Sequence, residues 1–138
     1  MADLPVNYQK DLSNGYFKII DNQKCLKPKF IVEYPHAIAG MLKHPQRNRL
    51  SQLWKFYDHA RWIHDRISQQ GETFEAVEAE LNELKPAVHY AFSRGTITEE
   101  FQYFIDENLS QIRNSEDLAA FTKHFQALIA YLPRLNQK

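Results

Sequence analysis

Apolar residues recur at intervals of three and four from Tyr34 to Leu132, the spacing of helices that each bury one face. Ile31, Tyr34, Ile38 and Met41/Leu42 predict a short first helix over about Tyr34–Lys43, started near Pro35 and ended by His44 and Pro45. Leu53, Phe56, Tyr57, Ala60, Ile63 and Ile67 share one wide face and predict a second helix that begins between Gln46 and Leu50, runs to about Gln69 and stops at Gly71. Thr73 opens a third, whose apolar positions Phe74, Val77, Leu81, Leu84, Val88 and Ala91/Phe92 keep the period across Pro86. That proline removes a backbone donor, so the expectation is one helix, bent there or with a carbonyl left to water. Arg94-Gly95 is a stop, and Thr96 with Glu99 has capping-box spacing for a fourth helix that turns Phe101, Phe104/Ile105, Leu109 and Ile112 inward. Asn114 and Asp117 predict the cap of a fifth, with Leu118, Phe121, Phe125, Leu128/Ile129 and Leu132 inside and Pro133 as its end. Residues 1–29, rich in Asn, Asp, Lys and Gly, read as an irregular arm with one short strand or turn, anchored by Tyr16, Phe17, Ile19 and Ile20. The pattern predicts an all-α fold: a compact bundle of about five helices over residues 30–138 behind an irregular N-terminal arm over 1–29.

A chain of 138 residues has room for one modest core, which excludes separate catalytic and regulatory domains. Its 43% hydrophobic and 25% charged residues fit a folded protein, and 17 basic against 17 acidic residues exclude a polyelectrolyte. The charge is zoned, however. Lys43, Arg47, Arg49, Lys55, Arg61 and Arg66 face only Asp58 and Asp65 between residues 43 and 66, while Glu72, Glu75, Glu78, Glu80 and Glu83 follow with no cation among them. One cysteine, Cys25, allows no internal disulfide, and the opening Met-Ala-Asp-Leu-Pro lacks the basic flank and apolar run of an export signal, so a cytoplasmic protein is expected. No window approaches the length of apolar chain that spans a bilayer, and no membrane partner is expected.

Candidate chemistry is sparse. His59 and His64, the nearest histidine pair on a helix, are five residues apart, which turns their rings about 140° from each other and spoils chelation. The six histidines read as solvated or boundary residues. Cys25 has no base near it in sequence, the glutamates of the third helix scatter around its solvated face, and Gly15, Gly40, Gly71 and Gly95 are too isolated to cradle a phosphate. No metal ligand set, no catalytic residue and no cofactor is therefore expected.

Positive charge is the better signal. Lys55, His59, Trp62 and Arg66 lie on one stripe of the second helix, on the side away from its core face. A tryptophan among cations can stack on a base while the cations meet phosphates. The same residues also suit a packed boundary under the arm or against another subunit, with the cations balancing the acidic helices.

Three segments carry a resemblance to a known family. Ser51-Gln52-Leu53-Trp54-Lys55-Phe56-Tyr57 resembles the Ser-Gln-Ile-Arg-Lys-Phe-Tyr segment of the small helical subunit of the type III-A CRISPR effector complex. Leu84-Lys85-Pro86-Ala87-Val88-His89-Tyr90-Ala91-Phe92-Ser93-Arg94-Gly95 is similar to that family's Leu-Lys-Pro-Lys-Leu-Ala-Tyr-Ala-Ala-Gly-Arg signature, with Ser93 in place of the glycine before the arginine. Phe121, Phe125, Ala127, Ile129, Ala130 and Tyr131 resemble the closing Phe-x-x-Phe-x-x-Ala-Ile-Val-Ala-Tyr helix. The likeness covers roughly Phe30 to Leu132 and leaves the arm outside.

The resemblance implies a non-catalytic, RNA-binding subunit of a ribonucleoprotein. Several copies line guide RNA and target RNA, and backbone and large subunits supply cleavage and signalling. By position, Lys55, Lys85 and Arg94 correspond to the family's basic residues, and Trp54 stands where the family usually has arginine, which removes one expected phosphate contact. Arg47, Arg49, Arg61, Trp62 and Arg66 are added candidates on charge and placement alone. The expected partners are guide and target RNA, the backbone and large subunits, and neighbouring copies of the chain. The competing reading is a helical protein–protein adaptor not bound to RNA, with Trp54, Trp62 and the arm as its interface.

Overall fold

The computed structural model describes residues 4–133; the outermost residues of both expected segments, 1–3 and 134–138, lie outside the described residues. The chain runs through α1 (Tyr8–Ser13), β1 (Phe17–Ile20), β2 (Gln23–Leu26), a 3-10 turn (Pro28–Phe30), α2 (Glu33–Met41), α3 (Leu50–Ser68), α4 (Phe74–Asn82), α5 (Leu84–Ser93), α6 (Glu99–Leu109) and α7 (Ser115–Ala130). The longest helices, α3 and α7, pack together, with α2 on α7, α4 and α5 on α3, and α6 on α5. Between them Phe101, Phe104, Phe121 and Phe125 are fully buried in a chain of ring contacts that Phe56 and Tyr57 join from α3. Burying rings of this size supplies the largest share of apolar stabilisation in so small a core.

All five predicted helices are present, and two details differ. The third is two helices: α4 ends at Asn82 and α5 starts at Leu84, with Glu83 capping both. Pro86 therefore falls in the first turn of α5, where a missing N–H costs no helical bond, and its ring would have clashed with the Asn82 carbonyl had the helix continued. The expected Thr96/Glu99 capping box does not form. Thr96 instead belongs to the end of α5: Gly95, at φ +79°, donates to the Phe92 carbonyl and Thr96 to that of Ala91, the paired bonds of a Schellman ending. Thr98 is the N-cap of α6. The Asn114 cap is as expected, its side chain accepting the Asp117 N–H at 2.8 Å.

The arm is more ordered than its composition suggests. Ile19 and Ile20, expected as anchors, are exposed on a hairpin whose two-residue turn, Asp21-Asn22, takes positive φ at both positions. Tyr8, Leu12 and Tyr16 are the anchors and lie fully inside the core. His124 of α7, also fully buried and so neither solvated nor at a boundary, donates from Nδ1 to the Phe30 carbonyl and accepts the Tyr8 hydroxyl at Nε2, 2.7 Å away. Asn108 donates to the Tyr8 oxygen (2.8 Å) and the Phe104 carbonyl (2.8 Å), and accepts the Tyr16 hydroxyl (2.7 Å). Tyr8, Tyr16, Asn108 and His124 each find hydrogen-bond partners in this network, which offsets the cost of placing their polar groups among phenylalanines. Outside it, the Asp11 carboxylate takes hydrogen bonds from Tyr34 and Lys29; the Tyr34 bond above all lowers the Asp11 pKa, while burial first and the carboxylate second push the Tyr34 phenol up to about 12.

Candidate nucleic-acid interface

Residues 43–49, between α2 and α3, are folded by their own polar groups. His44 Nδ1 accepts the backbone N–H of Gln46 and of Arg47, both at 3.0 Å, which closes a tight turn. Asn48 is fully buried at φ +57°, a conformation asparagine tolerates better than most residues. Its amide donates to the Leu42 carbonyl (3.0 Å) and the Thr98 hydroxyl (2.8 Å), its oxygen accepts the Thr98 N–H (2.9 Å), and its own N–H donates to the Thr96 carbonyl (3.0 Å). These bonds clamp the loop onto the turn between α5 and α6.

The clamp gathers three of the predicted cations. Arg47 and Arg49 flank Asn48 in sequence, and Arg94 ends α5 beside the same turn. The Arg47 guanidinium lies against Gly95, so closely that a Cβ there would stand 3.5 Å from Nη2. Arg94 donates to the Tyr90 hydroxyl at 2.8 Å, its guanidinium carbon 5.5 Å from the ring centre. Arg49 reaches the Pro45 carbonyl at 3.5 Å. Lys55, farther along α3, is exposed at the edge of a groove of about 330 Å³ shared with Phe56, His59, Glu83, Leu84 and Ala87. Among the described residues, no ion pair involves Arg49, Lys55, Lys85 or Arg94.

The other predicted residues go elsewhere. Lys85 is nine positions before Arg94 on α5, about half a turn around the helix and so on its opposite flank. Arg61 faces α7, donating to the Tyr57 hydroxyl at 3.4 Å with Asp65 at 3.8 Å; the Tyr57 bond is the main cause of its raised pKa. Trp62 and Arg66 do share the predicted stripe, but Arg66 grips Glu72 through two bonds (2.7 and 2.9 Å) and Glu80 through a third (2.6 Å), with its guanidinium 4.8 Å from the Trp62 ring. Those two carboxylates, Glu72 first, raise the Arg66 pKa further, and only 16% of the side chain is exposed. His59 Nε2 adds a bond to the Glu80 carbonyl at 2.7 Å. This half of the stripe fastens α4 to α3.

Sequence reasoning missed Asn48, whose partners Thr96 and Thr98 lie about fifty residues away, and Tyr90, which the i, i+4 spacing to Arg94 on one helix could have flagged. No group of three or more potential metal ligands gathers among the described residues, and no described helix is long and apolar enough to cross a membrane.

The family model for Csm2 Type III-A matches residues 26–137, beginning at the last residue of β2 and running through every helix from α2 to α7. The chain belongs to the Csm2 Type III-A family. That family is the non-catalytic RNA-binding subunit of the type III-A CRISPR effector complex, so the chain is not an enzyme and takes part in an RNA-guided assembly. No curated protein and no solved structure matches the chain. Within the matched span lie Lys55, Arg94 and the whole Asn48 clamp, whereas α1 and nearly all of the hairpin precede it.

Proposed function

We propose that this Csm2-family subunit meets guide or target RNA as phosphate backbone on the surface where residues 43–49 dock against the end of α5. The observation that supports the reading is the Asn48 clamp, which holds the backbone between Arg47 and Arg49 against the turn that follows Arg94. Lys55 continues the surface along the α3–α5 groove, and Arg94 adds to the negative end of the α5 dipole a cation that a phosphate can share. Lys85 and Arg61 project from other flanks and serve separate contacts, while Trp62 and Arg66 hold α4.

Recognition of this kind reads shape and charge rather than bases, which suits a subunit whose complex takes its sequence information from the guide. With 17 cations against 17 anions the free chain has little long-range pull on RNA, so its contacts act at the effective concentration set by assembly. The acidic, exposed Glu75, Glu78 and Glu83 are suited to basic surfaces of backbone or large subunits, or of neighbouring copies, in a cytoplasmic complex.

The test separates assembly from RNA binding. Effector complexes carrying Lys55→Gln/Arg94→Gln or Lys55→Glu/Arg94→Glu are assayed for subunit incorporation without target RNA, then for target binding with two unrelated guides. Unchanged incorporation and weakened binding, equal for both guides and larger for the reversal, is the expected result. Lost incorporation with unchanged RNA binding by the subunits that do assemble would overturn the assignment.

A further inference from the structure

Tyr90 is 61% exposed, the most exposed aromatic ring among the described residues, yet its position is fixed. It sits in the last turn of α5, whose end is locked by the Gly95 Schellman bonds, and its hydroxyl is tied to Arg94 at 2.8 Å. The preceding residue, His89, anchors the helix to α6 through Asp106 at 2.7 Å. The core face of α5, with Leu84, Val88 and Ala91, is buried, and Tyr90 projects away from it beside Arg94. An apolar ring left in water is a cost that its own neighbours do not relieve: the Arg94 guanidinium is its one ring contact among the described residues. Trp62, the other strongly exposed aromatic on a helix, differs in being covered by Arg66 and flanked by His59.

We infer that Tyr90 is a base-stacking platform for an unpaired nucleotide, with Arg94 holding the phosphate next to it. The inference rests on the phosphate-backbone reading above and adds to it a contact with the face of a base. A ring fixed on a helix loses little freedom on binding, and every base offers a π-face, so the contact strengthens binding to single-stranded RNA without selecting a sequence. A continuous duplex keeps its bases stacked on each other and gains nothing from it.

The experiment compares a single-stranded RNA oligonucleotide with the same backbone made abasic at consecutive positions, both titrated at low salt and high protein concentration with this chain, for the unchanged protein, Tyr90→Phe, Tyr90→Leu and Arg94→Gln. The unchanged chain and Tyr90→Phe should prefer the base-bearing strand by about tenfold, and Tyr90→Leu should lose that preference while keeping its affinity for the abasic backbone. Arg94→Gln should weaken both strands and keep the preference. Equal binding of the two strands by the unchanged chain would overturn the stacking inference alone. A Tyr90→Leu chain that keeps the preference, or weakens on both strands alike, would assign Tyr90 to packing or to a protein contact and overturn it too. Failure of the unchanged chain to bind either strand even at low salt and high protein concentration, where a weak phosphate contact registers, would overturn the phosphate reading and this one with it.

Discussion

Burial holds the His124 imidazole near a pKa of about 4, well below the 6.5 of a free histidine, with the Phe30 carbonyl bond opposing the shift. Between those values the unfolded chain binds a proton that the native chain refuses, so stability falls as pH falls from 6.5 towards 4. The contribution is about 1.4 kcal/mol per pH unit, or about 3 kcal/mol at pH 4, and none above pH 7. Denaturant melts of the protein and of His124→Gln across that range check it: the variant should lack this part of the acid slope, and matching slopes would assign acid sensitivity to other groups. Asn48 is the other buried side chain on which the structure turns. Asn48→Gly keeps the positive φ and the net charge but removes the bonds to Leu42 and Thr98, so it should cost about 1–3 kcal/mol in the same melts. In the assembled complex it should also weaken target RNA binding, because Arg47 and Arg49 lose their fixed base; unaltered binding would mean that the clamp is structural only. Lys55 and Arg94 were legible as candidates through the family-like segments that contain them, and Lys55 also through its place on the α3 stripe. Asn48 was not, since an asparagine between two arginines reads as an ordinary loop until Thr98 comes to meet it.

The helices themselves are written in the apolar period, and the errors fall at the breaks between them, where backbone sterics and left-handed residues outweigh that period. Pro86 was read as a defect inside one helix because Leu81, Leu84 and Val88 stay in phase across it, yet the clash with Asn82 makes it the start of a new one. Thr96 was read as a cap for α6, but Gly95 in the left-handed region commits it to closing α5. Gly95→Ala tests that ending. The substitution puts a Cβ on a residue at positive φ, in no more than ordinary contact with Arg47, and should destabilise the protein by about 1–2 kcal/mol in thermal or chemical unfolding. A neutral result would show that α5 can end without the Schellman geometry. The arm held a signal as well: Tyr8, Leu12 and Tyr16 repeat every four residues, and only Tyr16 was legible as an anchor, because polar composition and the break at Asn14-Gly15 hid Tyr8 and Leu12. Their core partners, Asn108 and His124, lie about a hundred residues away, a distance no local pattern spans.

At the scale of the molecule, net neutrality conceals a division of labour among its cations. Arg66 is spent on Glu72 and Glu80 and Lys24 on Glu116, whereas Lys55 and Arg94 carry no ion pair among the described residues and stand within the Csm2 Type III-A match. We propose that the RNA-facing charge lies at the α3–α5 edge, with the acidic α4 turned to other subunits. The most direct test is the salt dependence of target RNA binding by complexes containing the unchanged subunit or Arg49→Gln/Arg94→Gln. If both guanidinium groups meet phosphates, the plot of log affinity against log salt should be shallower for the variant by about 1.4 to 1.8, the loss of two counterion-releasing contacts. Parallel plots, whatever the change in affinity, would contradict it.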